Sequence, residues 1–273
     1  MGFFDRIKTG FELTKASLRI VRSDPEFLVL PVISGVIMLA ILATFLLFKI
    51  GNDQVGDAVF WGFLAVYYLA SFSLLYFIQA MVIEAARRRF AGENPTLGNT
   101  FGEAAKKLDK VIVLAAIASV VSIVSQFLRQ KAGEKPGAGG LVLALMGSLL
   151  GVAWTVISYF SLPVILYENA GVFESFGRSK DLVKKTWGEA VAANVSTLLL
   201  YVPALAFLVL AFLVPIGPMP LVFLGLCVVS VFLAAIVGAI VKAVISQALY
   251  EYANTGKVPA GMPEGAVQNF YSR

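Results

Sequence analysis

The chain has 273 residues, 59% of them hydrophobic and 14% charged, with a formal net charge of +5 and a mean hydropathy of +0.84. Soluble domains carry about a quarter charged residues and less than half apolar ones. With no histidine and one cysteine, a secreted disulfide scaffold, a Cys/His zinc site and imidazole-based catalysis are excluded.

Crossing ~30 Å of hydrocarbon takes about 20 helical residues, and six apolar runs fit that need. In chain order they are Phe27–Phe48, Val59–Ile83, Val111–Leu128, Leu141–Tyr167, Ala190–Val214 and Leu221–Tyr250. Core helices of soluble proteins seldom run beyond about 14 residues without a polar face. The mixed-charge residues ahead of the first run argue against a cleaved signal peptide. The expected fold is all-α: a polytopic membrane protein with six transmembrane helices. A single transmembrane domain would fill 1–273, with an amphipathic segment over 1–26, the bundle over 27–250 and a cytoplasmic tail over 251–273. That tail is Gly- and Pro-rich from Asn254 onwards, which predicts poor order.

The distribution of Lys and Arg sets the orientation. Five lie before the first span. Six lie between the second and third (Arg87, Arg88, Arg89, Lys106, Lys107, Lys110), four between the fourth and fifth (Arg178, Lys180, Lys184, Lys185), and two in the tail. The opposite side holds only Lys49, Arg129, Lys131 and Lys135. Both termini are therefore expected in the cytoplasm, in a prokaryotic plasma membrane. The basic segments contain nearly as many carboxylates, so the bias fits topogenesis and contact with anionic headgroups better than nucleic acid. The expected partners are membrane lipids and a candidate second copy of the chain, with no nucleic acid and no cofactor.

Each pair of spans follows a charged segment of helical periodicity. Phe4, Ile7, Phe11, Leu18 and Val21, with Thr14, share one face of the first. Leu97, Phe101, Ala104 and Leu108 mark the second, where Thr100 and Glu103 have capping-box spacing. Phe173, Phe176, Val183 and Trp187 mark the third, with Lys180, Lys184 and Lys185 placed to reach headgroups. Such helices either lie in the membrane interface or cap the bundle; the basic faces favour the interface. Phe11 and Leu18, Phe101 and Leu108, and Phe176 and Val183 have the same spacing, which suggests a threefold repeat of elbow helix plus helical hairpin.

Candidate functional residues are few. Lys242 is the ionisable side chain placed within a span, and intramembrane charges mark function by default. With Glu84 and Glu168, expected at the same depth, it forms a candidate boundary ion cluster; simple snorkelling is the alternative. Ser119, Ser122, Ser125 and Gln126 lie roughly on one face of the third span, either as a polar pathway lining or as interhelical hydrogen-bonding groups. Gly147 and Gly151 form a GxxxG packing motif in the fourth span. Pro31, Pro163 and Pro203 can kink their spans, and Cys227 reads as a small apolar filler. No nucleotide loop or metal-ligand cluster occurs, and no catalytic set is evident. These features favour a non-enzymatic protein acting in lipid organisation or as an oligomeric scaffold. The alternative is a channel or transporter lined by the third span.

The stretch Leu162-Pro163-Val164-Ile165-Leu166-Tyr167-Glu168-Asn169, followed by Glu174-Ser175-Phe176-Gly177-Arg178-Ser179 and Lys185-Thr186-Trp187-Gly188-Glu189, resembles the middle signature of a family of uncharacterised six-span prokaryotic membrane proteins. The segment from Ala248 to Pro259 and the opening from Gly10-Phe11 to Pro31 resemble it too. The elbow from Glu168 to Trp187 is distantly similar to the membrane domain fused to some glycerophosphodiester phosphodiesterases. The resemblance implies a helical membrane domain of unknown function and transfers no catalytic residue.

Overall fold

The long apolar runs become long helices. A computed structural model describes residues 3–23, 26–51, 56–135, 137–214 and 216–268. In order these form α1 (Phe3–Ser23), α2 (Glu26–Ile50), α3 (Asp57–Phe90), α4 (Leu97–Ala105), α5 (Leu108–Glu134), α6 (Ala138–Ser158), α7 (Ser161–Tyr167), α8 (Val172–Thr197), a 3-10 turn (Leu198–Tyr201), α9 (Val202–Leu213), α10 (Met219–Thr255) and α11 (Glu264–Gln268). No strand occurs among the described residues. Among the described residues, five helical segments are long and apolar enough to cross a membrane: α2, α3, α5, α6 with α7, and α10.

The remaining expected crossing, Ala190–Val214, is not one uninterrupted helix. Its first part belongs to α8, which runs on from the third elbow without a break, and the 3-10 turn then separates it from α9. Pro203 accounts for the break, because proline has no N–H to give to the preceding turn and disfavours helix at the residue before it. It sits instead in the first turn of α9, where a missing N–H is harmless. α9 alone rises about 18 Å, short of the hydrocarbon thickness. Pro163 behaves alike. The fourth span breaks at Tyr159-Phe160, and Pro163 falls in the first turn of α7. By contrast, Pro31 is absorbed within α2.

The helices group into two compact units. One comprises 1–29, 82–97 and 184–273; the other comprises 30–81 and 98–183. In the second, α2 and α3 form an antiparallel hairpin joined by side chains. Phe45 stacks on Phe63 with ring centroids 3.5 Å apart, Lys49 lies 3.7 Å from the Phe60 ring centroid, and Tyr67 donates to the Met38 carbonyl at 3.4 Å. α5 and α6 form a tighter hairpin. A Cβ at Gly147 would stand 3.0 Å from the Ser125 carbonyl oxygen and 3.3 Å from the Leu128 Cβ, so the missing side chain is what lets α6 approach α5. Gly151 meets nothing within 4 Å, so only one glycine of the GxxxG makes this contact.

In the first unit α1, α9 and α11 each pack on α10. α1 buries Leu13, Thr14, Ala16 and Ser17, while Phe11 is 51% exposed and Leu18 half-buried. The buried face is therefore centred on Leu13, Ala16 and Ser17 and, among the described residues, takes in Thr14 but not Phe11 from the expected stripe. The Phe4, Ile7 and Val21 side chains lie outside the described residues. Residues 256–268, expected to be poorly ordered, form a turn and the short helix α11. Gly256 adopts φ +68°, a left-handed C-cap whose N–H bonds the Tyr252 carbonyl at 2.8 Å, which suits a residue without Cβ. Beyond it, Met262 and Val267 are buried.

Replacing Gly147 with valine forces a branched side chain against backbone. It should cost about 1–3 kcal/mol, read as a lowered Tm in detergent, whereas Gly151→Ala should leave Tm unchanged.

Candidate functional site

The polar residues of this apolar protein gather near helix ends, and each unit holds its own set. In the first unit, Glu84 on α3 is 2% exposed. Its partners come from the next turn of the same helix. Arg87 donates to both carboxylate oxygens at 2.7 and 2.9 Å, and Arg88 donates to one of them at 2.7 Å while reaching Glu93 at 3.2 Å. Helical spacings of three and four residues put these side chains side by side, and charge-assisted bonds of this length are the strong kind. Arg87 also acts electrostatically on Glu251 of α10, which hydrogen-bonds with Gln247 one turn earlier. A chain of charges and amides therefore joins the end of α3 to the end of α10. Gln247 is buried, and its Oε1, like Glu251 Oε2 and Ser17 Oγ, has no hydrogen-bond partner among the described residues. Lys242, half-buried on α10, lies between the buried Val241 and Ala243.

Glu168 belongs to the other unit and is held by Arg178 of α8, whose Nε reaches both carboxylate oxygens at 3.2 Å. The signature stretch around it is a built turn. Asn169 takes φ +54°, a left-handed conformation that asparagine tolerates better than most residues. Lys107 donates to its side-chain oxygen at 2.7 Å, and Lys110 donates to the Asn169 and Ala170 carbonyls at 2.9 and 3.0 Å. Two lysines expected to serve only as topogenic charge thus hold the turn after α7, Lys107 through the Asn169 side chain and Lys110 through backbone carbonyls. Ser179 accepts the Phe160 N–H at 3.0 Å where the fourth span breaks, and Glu174 accepts the Gly171 N–H at 3.3 Å at the start of α8.

The serine face of α5 divides. Ser119 is buried and donates to the Ala115 carbonyl of its own helix at 2.7 Å. Ser125 is buried under Gly147 of α6, with no hydrogen-bond partner for its Oγ among the described residues. Ser122 is half-buried and Gln126 exposed. At roughly 100° per residue Gln126 turns away from Ser125, so the four do not share one environment.

The elbows also differ from the expected stripes. Phe101 of α4 is 54% exposed, with its ring edge on Phe77 at 5.2 Å, and Phe173 of α8 is 76% exposed. Thr100 lies inside α4 rather than at its cap, and Glu103 pairs with Lys106 at 2.7 Å. Leu108 opens α5, because the turn at Lys106-Lys107 resets the helical phase. Phe176 packs edge-on against Trp154 at 5.6 Å, and Val183 is buried. Lys180 and Lys184 are exposed; the side chains of Lys185 and Trp187 lie outside the described residues. No group of three or more His, Cys, Asp or Glu suited to a metal occurs among the described residues.

Long apolar helices, amphipathic elbows and polar locks at helix ends define an α-helical polytopic membrane protein. The chain belongs to a family of unknown function, DUF6159, whose model matches residues 58–260. The match takes in the Glu168–Arg178 turn and α10 but leaves out α1, α2 and the opening Gly10-to-Pro31 stretch. No curated protein and no solved structure matches the chain. The comparisons lend no support to a relationship with glycerophosphodiester phosphodiesterase membrane domains.

Glu84→Ala removes the acceptor of three charge-assisted bonds. It should cost about 2 kcal/mol, seen as a lower Tm in detergent, whereas Lys106→Ala, which breaks an exposed pair, should change Tm little.

Proposed function

We propose that the protein is a non-enzymatic component of a prokaryotic plasma membrane, with both termini in the cytoplasm, where it organises lipid as a membrane scaffold. The observation that carries this reading is the outward-facing phenylalanine on each elbow helix: Phe11, Phe101 and Phe173 are all more than half exposed. A large aromatic ring left out of the packing on a charged helix suits the boundary between headgroups and acyl chains. Neighbouring basic side chains, such as Lys15 and Arg19 on α1 or Lys180 and Lys184 on α8, complete the amphipathic pattern. The orientation rests on the excess of Lys and Arg in one set of connecting segments and requires the end of α8, the 3-10 turn and α9 together to make a sixth crossing.

The chemistry of α5 favours this reading over a polar pathway. Ser119 spends its donor on its own helix, and Ser125 is covered by α6. A continuous conduit needs polar groups aimed into a shared space.

Three measurements test the proposal. Vesicles containing the wild-type protein should show higher interfacial lipid order by Laurdan polarisation than empty vesicles. The variant combining Phe11→Asp, Phe101→Asp and Phe173→Asp should lose at least half of that increment. Solute flux through such vesicles that disappears with Ser119→Ala and Ser122→Ala would overturn the scaffold reading. Protease added outside intact cells should leave both termini uncut; cleavage of either end reverses the orientation.

A further inference from the structure

The first unit contains a groove of about 360 Å³ between α1 and the turn that follows α10, lined by Glu12, Lys15 and Arg19 on one side and Gly261, Met262 and Pro263 on the other. Its size falls at the low end of small-molecule sites, which span about 300–1,000 Å³. Three properties set it apart from an ordinary charged helix face. Its far wall is apolar and fixed, because Met262 is buried and α11 seats Val267 just beyond it. Its three charges are exposed, and none forms an ion pair among the described residues, although Glu12 and Lys15 have a spacing that allows one. Their order is also directional: acid, base, base at positions 12, 15 and 19. At 1.5 Å per residue, the two bases are about 6 Å apart along the helix, and the acid lies about 4.5 Å before the first of them.

We propose that this groove binds the headgroup of a phospholipid whose phosphodiester is followed by a primary ammonium. The phosphate sits between Lys15 and Arg19, where charge-assisted bonds from an ammonium and a guanidinium meet its oxygens. The headgroup ammonium points back along α1 to the Glu12 carboxylate, and the ethylene carbons lie against Met262 and Pro263. A trimethylammonium has no N–H to give Glu12, and a glycerol headgroup has no cation to pair with it. This assignment rests on α1 lying in the membrane interface and adds a specific ligand to that reading.

The test uses the full-length protein in a neutral maltoside detergent, with bound lipid counted by native mass spectrometry. Dioleoyl phosphatidylethanolamine should be retained at least tenfold better than the phosphatidylcholine or phosphatidylglycerol of the same chains. Lys15→Gln with Arg19→Gln should abolish that retention, and Glu12→Gln should reduce phosphatidylethanolamine to the phosphatidylcholine level. Glycerophosphoethanolamine should compete, and inorganic phosphate should compete at least tenfold less well. Equal retention of the three lipids, unchanged retention in the double variant, or phosphate competing as well as glycerophosphoethanolamine would overturn the proposal. Unchanged Tm in the variants ties any loss to the groove. A failed headgroup preference alongside a normal lipid-order response removes the groove alone; loss of the lipid-order response in wild type removes the interfacial reading.

Discussion

Much of this structure follows from one constraint: against acyl chains, an apolar side chain gains nothing by turning inward. Helices must then be held by backbone proximity and by polar groups that have few other partners. The outer-facing surfaces of α2 and of the first part of α10 leave residue after residue of valine, leucine and isoleucine exposed. The α5–α6 hairpin rests on a glycine where any Cβ would meet backbone. The Glu84 cluster makes the complementary point, since a nearly inaccessible carboxylate survives there because two guanidinium groups saturate it.

The same constraint explains where burial occurs. In the first unit the buried side chains of α10 are densest from Ile240 to Tyr250, alongside the Val82–Phe90 end of α3 and the inner face of α1. In the second they concentrate in Tyr76–Met81, Val111–Ser119 and Tyr159–Ile165. These are the stretches next to the charged connections, where water and headgroups restore an ordinary hydrophobic driving force. On the elbow helices Leu13, Ala16, Ser17, Thr100, Ala104, Ser175, Ser179 and Leu182 are buried, while Phe11, Phe101 and Phe173 stay exposed.

Hydropathy alone located five of the six expected crossings, because length and lack of charge are written residue by residue. It could not show that Ala190–Val214 is interrupted, since an apolar run looks the same whether or not a proline splits it. The elbows were recognisable as amphipathic helices, but the buried face was assigned by size. Packing selected Ala16 and Ser17 over Phe11, a choice made by the neighbour and not by the helix. The spacing of three and four from Glu84 to Arg87 and Arg88 stands in the sequence, but Glu84 was expected beside Lys242 and Glu168, and the arginines were expected to serve as topogenic charge. The bonds from Lys107 and Lys110 to a turn about sixty residues away left no local trace. Nor did the turn and short helix over 256–268, whose Gly and Pro content suggested poor order although Met262 and Val267 have a buried seat there.

That seat has a consequence for biogenesis. α1 leaves the ribosome before the surfaces it packs against, on α10 and around Gly261. During elongation its inner face waits for them, so the first unit closes only after α10 and the turn that follows it have been made. The unit built from 30–81 and 98–183 faces no such delay. Its contacts are available before α10 is made, so synthesis imposes a fixed order of assembly on the two units.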